Sequence, residues 1–194
     1  MNSPLSARSS AGDRGLNPPV VAGLAEAGPR PTPRIRPATL ADLPTLVALN
    51  AHVQSLHAEA LPEQFRASPP TAEVVATFAD KLAEPTALWL LAELGGSPCG
   101  YLYAQFREHE ENWARPARRS CNLAHLAVHP AHRRQGIARA LIEAAVAEAG
   151  RRGFTRIELD VWSFNTEARE AFGRLGFTTF NERMEWMAPA SRRP

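Results

Sequence analysis

Leu123-Ala-His-Leu-Ala-Val-His-Pro-Ala-His-Arg-Arg-Gln-Gly-Ile-Ala-Arg-Ala-Leu-Ile-Glu143 reads as an apolar strand, a short basic loop and a helix that opens at glycine. That order leaves the first amides of a helix without partners and sets Arg133, Arg134 and Arg139 around them. Helix N-termini attract anions, because their unpaired N–H groups and the summed peptide dipoles point the same way. Gly136 and Ala138 are small, so the backbone can come close to a bound group. The stretch therefore predicts a phosphate-binding loop between a strand and a helix.

A second segment lies downstream: Leu159-Asp-Val-Trp-Ser-Phe-Asn165-Thr-Glu-Ala168-Arg-Glu-Ala-Phe172-Gly-Arg-Leu-Gly176-Phe177. It reads as a strand end followed by a helix, with Asn165 at the helix start, where an amide side chain can cap the first turn.

Together the two segments resemble the GNAT superfamily of N-acetyltransferases. Arg133, Gly136 and Ala138 stand where its coenzyme loop has Arg/Gln-x-x-Gly-x-Gly/Ala. Asn165, Ala168, Gly176 and Phe177 match its second motif, Asn-x-x-Ala-x-x-Phe-Tyr-x-x-x-Gly-Phe. The resemblance runs from about Arg34 to Ala188 in element order. It implies acetyl-coenzyme A as co-substrate. The contacts would come from Leu126, Ala127 and Val128 at the strand end, from Arg133, Arg134, Gln135, Gly136, Ile137, Ala138 and Arg139 of the loop, and from Asn165 and Ala168. The chain departs from the pattern in one respect: the motif tyrosine, which usually protonates the leaving thiolate in the family, falls at Phe172, and the preceding phenylalanine at Ala171. The usual proton donor is missing from its place.

The bulk numbers are those of one soluble domain. The chain has 194 residues, 44% hydrophobic and 22% charged, with a formal net charge of +2. This length supports one domain with a core of its own, and the near-neutral charge argues against nucleic acid or an anionic membrane as partner. No run approaches the roughly twenty apolar residues of a membrane span. Val20–Leu24 follows two prolines and is a poor signal-peptide core. The two cysteines, Cys99 and Cys121, are far apart and lack metal-site spacing. They point to free thiols in a reducing, cytoplasmic setting. Residues 1–33, rich in Ser, Ala, Gly and Pro, read as a disordered tail, and 189–194 as a second short one.

Between the tails the pattern predicts an α/β domain over 34–188 with a mixed, mostly antiparallel central sheet flanked by helices, the fold of the resemblance. A short strand at Arg34–Arg36 precedes a helix capped by Asp42, with Leu43, Leu46, Val47, Val53 and Leu56 on one face. A second helix, capped by Thr71, runs to Ala83. Ala87–Leu94 and Gly100–Arg107 form a hairpin across Gly95-Gly96. Ser120–Val128 is the fourth strand and Arg156–Val161 the fifth. Thr166–Leu175 is a helix, and Phe177–Met187 supplies two closing strands. An edge strand near the C-terminus is where a second copy could pair.

The acceptor side of the site is less legible. His125 is the catalytic candidate, because an imidazole ordinarily titrates near neutrality. Strand side chains alternate, however. The positions to which the resemblance gives bases are Ser120, Asn122 and Ala124, so His125 has the opposite parity unless a β-bulge resets it. Otherwise it is a packed structural histidine. The resemblance implies that the end of the first helix and the following loop form one wall of the acceptor site, which makes His57 and Phe65 candidate substrate contacts, with Tyr103 and Asn122; the alternative is an amphipathic helix end with ordinary surface groups. His125, His129 and His132 fit no closed zinc pattern, so no metal is expected. The reading is an acetyl-CoA-dependent transferase acting on a primary amine of a small molecule or peptide in a ternary complex. The alternative is a non-catalytic coenzyme A-binding module.

Overall fold

The computed structural model describes residues 32–187. Both predicted tails, apart from residues 32 and 33, lie outside them. Five strands form one sheet in the order β1-β2-β3-β4-β5: β1 (Arg34–Pro37), β2 (Ala87–Leu94), β3 (Ser97–His109), β4 (Arg118–Val128) and β5 (Ile157–Leu159). The first four pair antiparallel, and β5 joins β4 in parallel. The helices are α1 (Leu43–Ala60), α2 (Thr71–Ala83), α3 (Ile137–Arg151) and α4 (Thr166–Arg174). The predicted α/β class and mixed sheet are both present.

Alternation along β2 and β3 decides what each face of the sheet buries. Leu88, Leu90, Ala92, Leu102, Ala104 and Phe106 face α3, whose Ile137, Leu141, Ile142, Ala145 and Ala149 cover them, and Phe172 and Leu175 of α4 pack against the same cluster. Trp89, Leu91, Tyr101 and Tyr103 point the other way, under Leu46 and Leu49 of α1 and Phe78 of α2. Each fully buried leucine removes enough apolar surface from water to contribute roughly 1.5–3 kcal/mol. The β2–β3 turn is a two-residue loop. Gly95 and Gly96 both have positive φ (59° and 84°), as a hairpin turn matched to the strand twist requires.

Three expectations need correction. Asp42 does not cap α1 with its side chain. Its carboxylate turns back to accept the Thr39 backbone N–H (2.8 Å) and pairs with Arg36 of β1 (2.8 Å). That guanidinium, whose Nε also donates to Glu93 of β2 (2.7 Å), holds the Asp42 carboxyl far below its usual range. Thr71 is the first residue of α2, and Pro70 occupies the cap position. The closing strands over Phe177–Met187 are absent: residues 177–187 take no regular structure, and Phe180, Met184, Trp186 and Met187 are exposed. β5 offers only three paired positions, and the segment has no glycine to turn a tight hairpin, so neither a template nor a turn favours strands there.

Candidate active site

The site is built around an irregularity in β4. Its register against β3 runs Gln105–Asn122 and Ala104–Leu123, then jumps to Tyr103–His125, leaving Ala124 unpaired. This is the bulge that resets parity. Ser120 and Asn122 lie on the α1/α2 face before it, and His125 and Ala127 lie on the same face after it. The opposite parity read for His125 therefore does not hold.

The bulge also marks where two strands part. β5 stays with β4 only from Cys121 to Leu123 and ends at Leu159, while β4 continues to Val128. Beyond Leu123 a gap opens. On its β3 side the ladder closes with the His129 N–H donating to the Cys99 carbonyl (2.8 Å). Strand amides alternate in direction, so those of Leu126 and Val128 point away from β3 and into the gap.

Immediately after β4, a 3₁₀ turn at Pro130–His132 leads into the loop of Arg133, Arg134 and Gln135. Arg134 and Gly136 both take positive φ (64° and 83°). For Arg134 this is a strained backbone state; for Gly136 it is one that only glycine enters at little cost. A Cβ built on Gly136 would meet nothing within 4 Å, so conformation rather than crowding requires a glycine there. Among the described residues no side chain caps α3. The amides of Ile137, Ala138 and Arg139 thus face outward beside Arg133, Arg134 and Arg139.

Under α1 and α2 the sheet carries a buried polar patch. Tyr101 Oη donates to Asn50 Oδ1 of α1 (3.0 Å) and lies 3.5 Å from His125 Nδ1. Burial, with smaller contributions from the charges of Lys81 and His57, pushes the His125 imidazole down to about 4. Tyr103 is 1% exposed, stacks on Trp89 at 4.4 Å between centroids and lies under the Lys81 ammonium. Its hydroxyl and the Trp89 indole N–H are buried without hydrogen-bond partners among the described residues. Asn122 is buried on this face too, while Leu126 and Val128 pack against the α3-side core.

Across the gap, the segment from β5 to α4 meets the end of α1. The His57 ring lies 4.9 Å from Phe65, 5.7 Å from Phe164 and 6.4 Å from Trp162, and Phe65 and Trp162 meet edge to face at 5.2 Å. The structure thus brings His57 and Phe65 together, as the sequence suggested, and adds two aromatic residues it did not single out. Asn165 is the N-cap of α4: its Oδ1 accepts the Ala168 N–H (3.1 Å), so that oxygen serves the helix. Phe172 is half-buried against the α3-side core, 5.8 Å from Phe177, with no hydroxyl to offer. Among the described residues no three His, Cys, Asp or Glu side chains gather as a metal set, and no helix is long and apolar enough to cross a membrane.

Residues 51–177 match the family model described as acetyltransferase (GNAT) family. The chain belongs to the GNAT acetyltransferase family. Solved structures with this fold include a protein from Bacillus halodurans, crystallised as a tetramutant. It is 23% identical with a TM-score of 0.76, over 80% of this chain and 99% of that one. A protein described as a predicted acetyltransferase, solved with acetyl-CoA, from Clostridium acetobutylicum is 20% identical with a TM-score of 0.61, over 80% and 96%. An aminoglycoside 6'-N-acetyltransferase from Acinetobacter haemolyticus, in its apo form, is 25% identical with a TM-score of 0.62, over 81% and 99%. No curated protein matches the chain.

For this GNAT chain, sequence reasoning allowed for a bulge before His125 but did not place it at Ala124, and it missed the Tyr101–Asn50 bond, and Trp162 with Phe164. Asn50 and Tyr101 are 51 positions apart, and no local pattern links them. The aromatic pair was quoted within the second motif, and its spacing of two beyond a strand was the available signal.

Proposed function

We propose that the chain transfers the acetyl group of acetyl-coenzyme A to a primary amine of a small molecule or peptide, both substrates being bound at once. The observation that carries this reading is the gap between β4 and β5, with inward-pointing amides, opening beside an uncapped helix N-terminus. These features fit the coenzyme chemically: a diphosphate needs converging N–H groups and cations, and a pantetheine arm needs an unpaired strand edge. Arg133, Arg134, Gln135, Gly136, Ile137, Ala138 and Arg139 would hold the diphosphate. Leu126, Ala127 and Val128 would hold the arm, with Asn165 and Ala168 on the opposite lip. When bound, acetyl-CoA supplies an activated acetyl group.

The chain's own residues do the rest. The Val128 amide donates toward the thioester oxygen, where negative charge develops during attack. The acceptor enters from the α1/α2 face, past His57 and Phe65, with Asn122 and Tyr103 beneath. His125 is a poor base, because its imidazole is buried and pushed down to about 4. Phe172 leaves the departing thiolate to be protonated by water, which a thiolate tolerates near neutral pH. The working unit would be the domain 34–188. Its buried free thiols, Cys99 and Cys121, fit a reducing cytoplasmic setting.

The test is calorimetry with acetyl-CoA, followed by thiol release over a panel of polyamines, aminoglycosides, amino acids and peptide amines. Binding with release from at least one amine is expected. Binding without release from any would make the chain a coenzyme-holding module. Absence of binding would overturn the reading.

A further inference from the structure

Helix α1 bridges the two lips of the β4–β5 gap. At residue 52 it meets the β4 lip, where the His52 and His129 rings are 4.9 Å apart. Five residues later, about 7.5 Å along the axis, it meets the other lip, where His57 contacts Phe164 and Trp162. What α1 presents between these contacts hangs over the gap on the face opposite α3.

His57 is held there in one orientation. Its Nδ1 lies 2.8 Å from the Val53 carbonyl one turn earlier. A carbonyl only accepts, so Nδ1 carries the hydrogen and, in the neutral ring, Nε2 carries the lone pair. Phe65 and Phe164 press on the ring from two sides and oppose its turning. The residue is half-buried. The other titratable groups at this gap are His125 from β4, His52 from α1 and His129 directly after β4; the loop after α1 contributes Phe65, and the segment before α4 contributes Trp162 and Phe164.

We propose that His57, through Nε2, is the base that takes the proton from the acceptor ammonium. This rests on the acetyl-transfer reading above. The balance is simple. An R–NH3⁺ group arrives and gives one proton to Nε2, leaving a lone pair on R–NH2. That pair forms the C–N bond as the C–S bond breaks with its electrons on sulfur. The second proton lost from nitrogen ends on the thiolate by way of water, and His57 returns its proton to solvent. The products are the amide, the free thiol and one proton. The Nδ1–H bond to Val53 persists in both ring states, so the imidazole accepts and releases a proton without moving. His125 instead lies beside Tyr101, among Phe78, Trp89 and Tyr103.

The test uses the full chain and an acceptor taken from the panel. His57→Asn keeps a donor placed to reach Val53 and removes the basic nitrogen; His57→Gln keeps a polar group near the Nε2 position. Both should lower kcat by about 100-fold and leave acetyl-CoA affinity, read by calorimetry, and the melting temperature near wild type. The loss should shrink for an O-alkylhydroxylamine (R–O–NH2) analogue of the same acceptor, which reaches the site already neutral; a merely structural role would not respond to acceptor basicity. Long-range ¹H–¹⁵N NMR of the free protein supplies a second readout, in which the neutral His57 ring should show Nε2 as the unprotonated nitrogen. A kcat within about twofold of wild type in both variants, a loss independent of acceptor basicity, or the opposite tautomer would each overturn the assignment. If the wild-type chain releases no thiol with any amine, the acetyl-transfer reading fails first, and the tautomer alone then decides the geometry claimed for His57.

Discussion

Tyr103 stands opposite His125 across the β3–β4 ladder, while its neighbour Ala104 stands opposite Leu123. One residue, Ala124, is therefore extra, and its effect is large. It turns His125 and Ala127 onto the α1/α2 face and aims the Leu126 and Val128 amides at the space β5 has left. Deleting Ala124 removes the parity shift and forces one flank of β4 to reverse its faces. Acetyl-CoA affinity should fall by about tenfold or more, a loss of at least ~1.4 kcal/mol. Ala124→Val, which keeps the residue count, should bind as wild type does. Calorimetry on the two variants checks this, and equal affinities would remove the bulge from the account.

The loop proposed to hold the diphosphate makes a separable prediction. Gly136 sits at φ 83° with open space around it, so Gly136→Val is strained by conformation and not by collision. The expected cost to stability is about 1–2 kcal/mol, with a clear loss of coenzyme affinity as the first amides of α3 turn away. Replacing Arg133 and Arg134 together by Ala should weaken coenzyme A by about tenfold and leave pantetheine, which lacks the diphosphate, unaffected. A loss shared equally by both ligands would mean that the arginines do not meet phosphate.

His125 predicts a pH dependence of folding with a definite sign. Burial lowers its value to about 4 in the folded chain, against 6.5 for an ordinary histidine. Above 6.5 both states are neutral and the group contributes nothing to the pH dependence. Between 6.5 and 4 the unfolded chain takes up a proton that the folded one refuses, so stability falls as pH falls. The full effect is up to about 3 kcal/mol. In urea unfolding, the difference in stability between wild type and His125→Leu should change by this amount from pH 7 to pH 4, to the disadvantage of wild type. A difference that stays flat with pH would mean that His125 is solvated.

Much of the fold was readable because burial follows period. The apolar runs on either side of Gly95-Gly96 named the β2–β3 hairpin, and the strand–loop–glycine–helix order around Gly136 named the elements that flank the proposed phosphate loop. The place of the bulge was not readable, because Ala124 is a small residue between Leu123 and His125 with no glycine to mark it. The cluster of His57, Phe65, Trp162 and Phe164 comes from three separate segments, and only the packing of α1 over the gap unites them. The error at Phe177–Met187 is of another kind. Apolar spacing at Met184 and Trp186 looks strand-like, but a strand needs a neighbour, and three residues of β5 provide little of one.

Tyr103 offers the sharpest test of what the buried polar patch is for. Its hydroxyl is enclosed and meets no partner, and burial raises its proton affinity further. An unpaired buried hydroxyl costs about 1–3 kcal/mol of desolvation. Tyr103→Phe removes that group and keeps the ring, its stacking on Trp89 and its contact with the Lys81 ammonium. If the hydroxyl has no task, the variant should be as stable as wild type or more stable by about 1 kcal/mol, with thiol release unchanged. If the hydroxyl donates a proton to the leaving thiolate in place of the one missing at Phe172, stability should still rise while kcat falls with KM for acetyl-CoA unchanged. The enclosure of the side chain, 1% exposed beneath α2, favours the first result. Steady-state kinetics and a denaturation curve on this one variant decide between them.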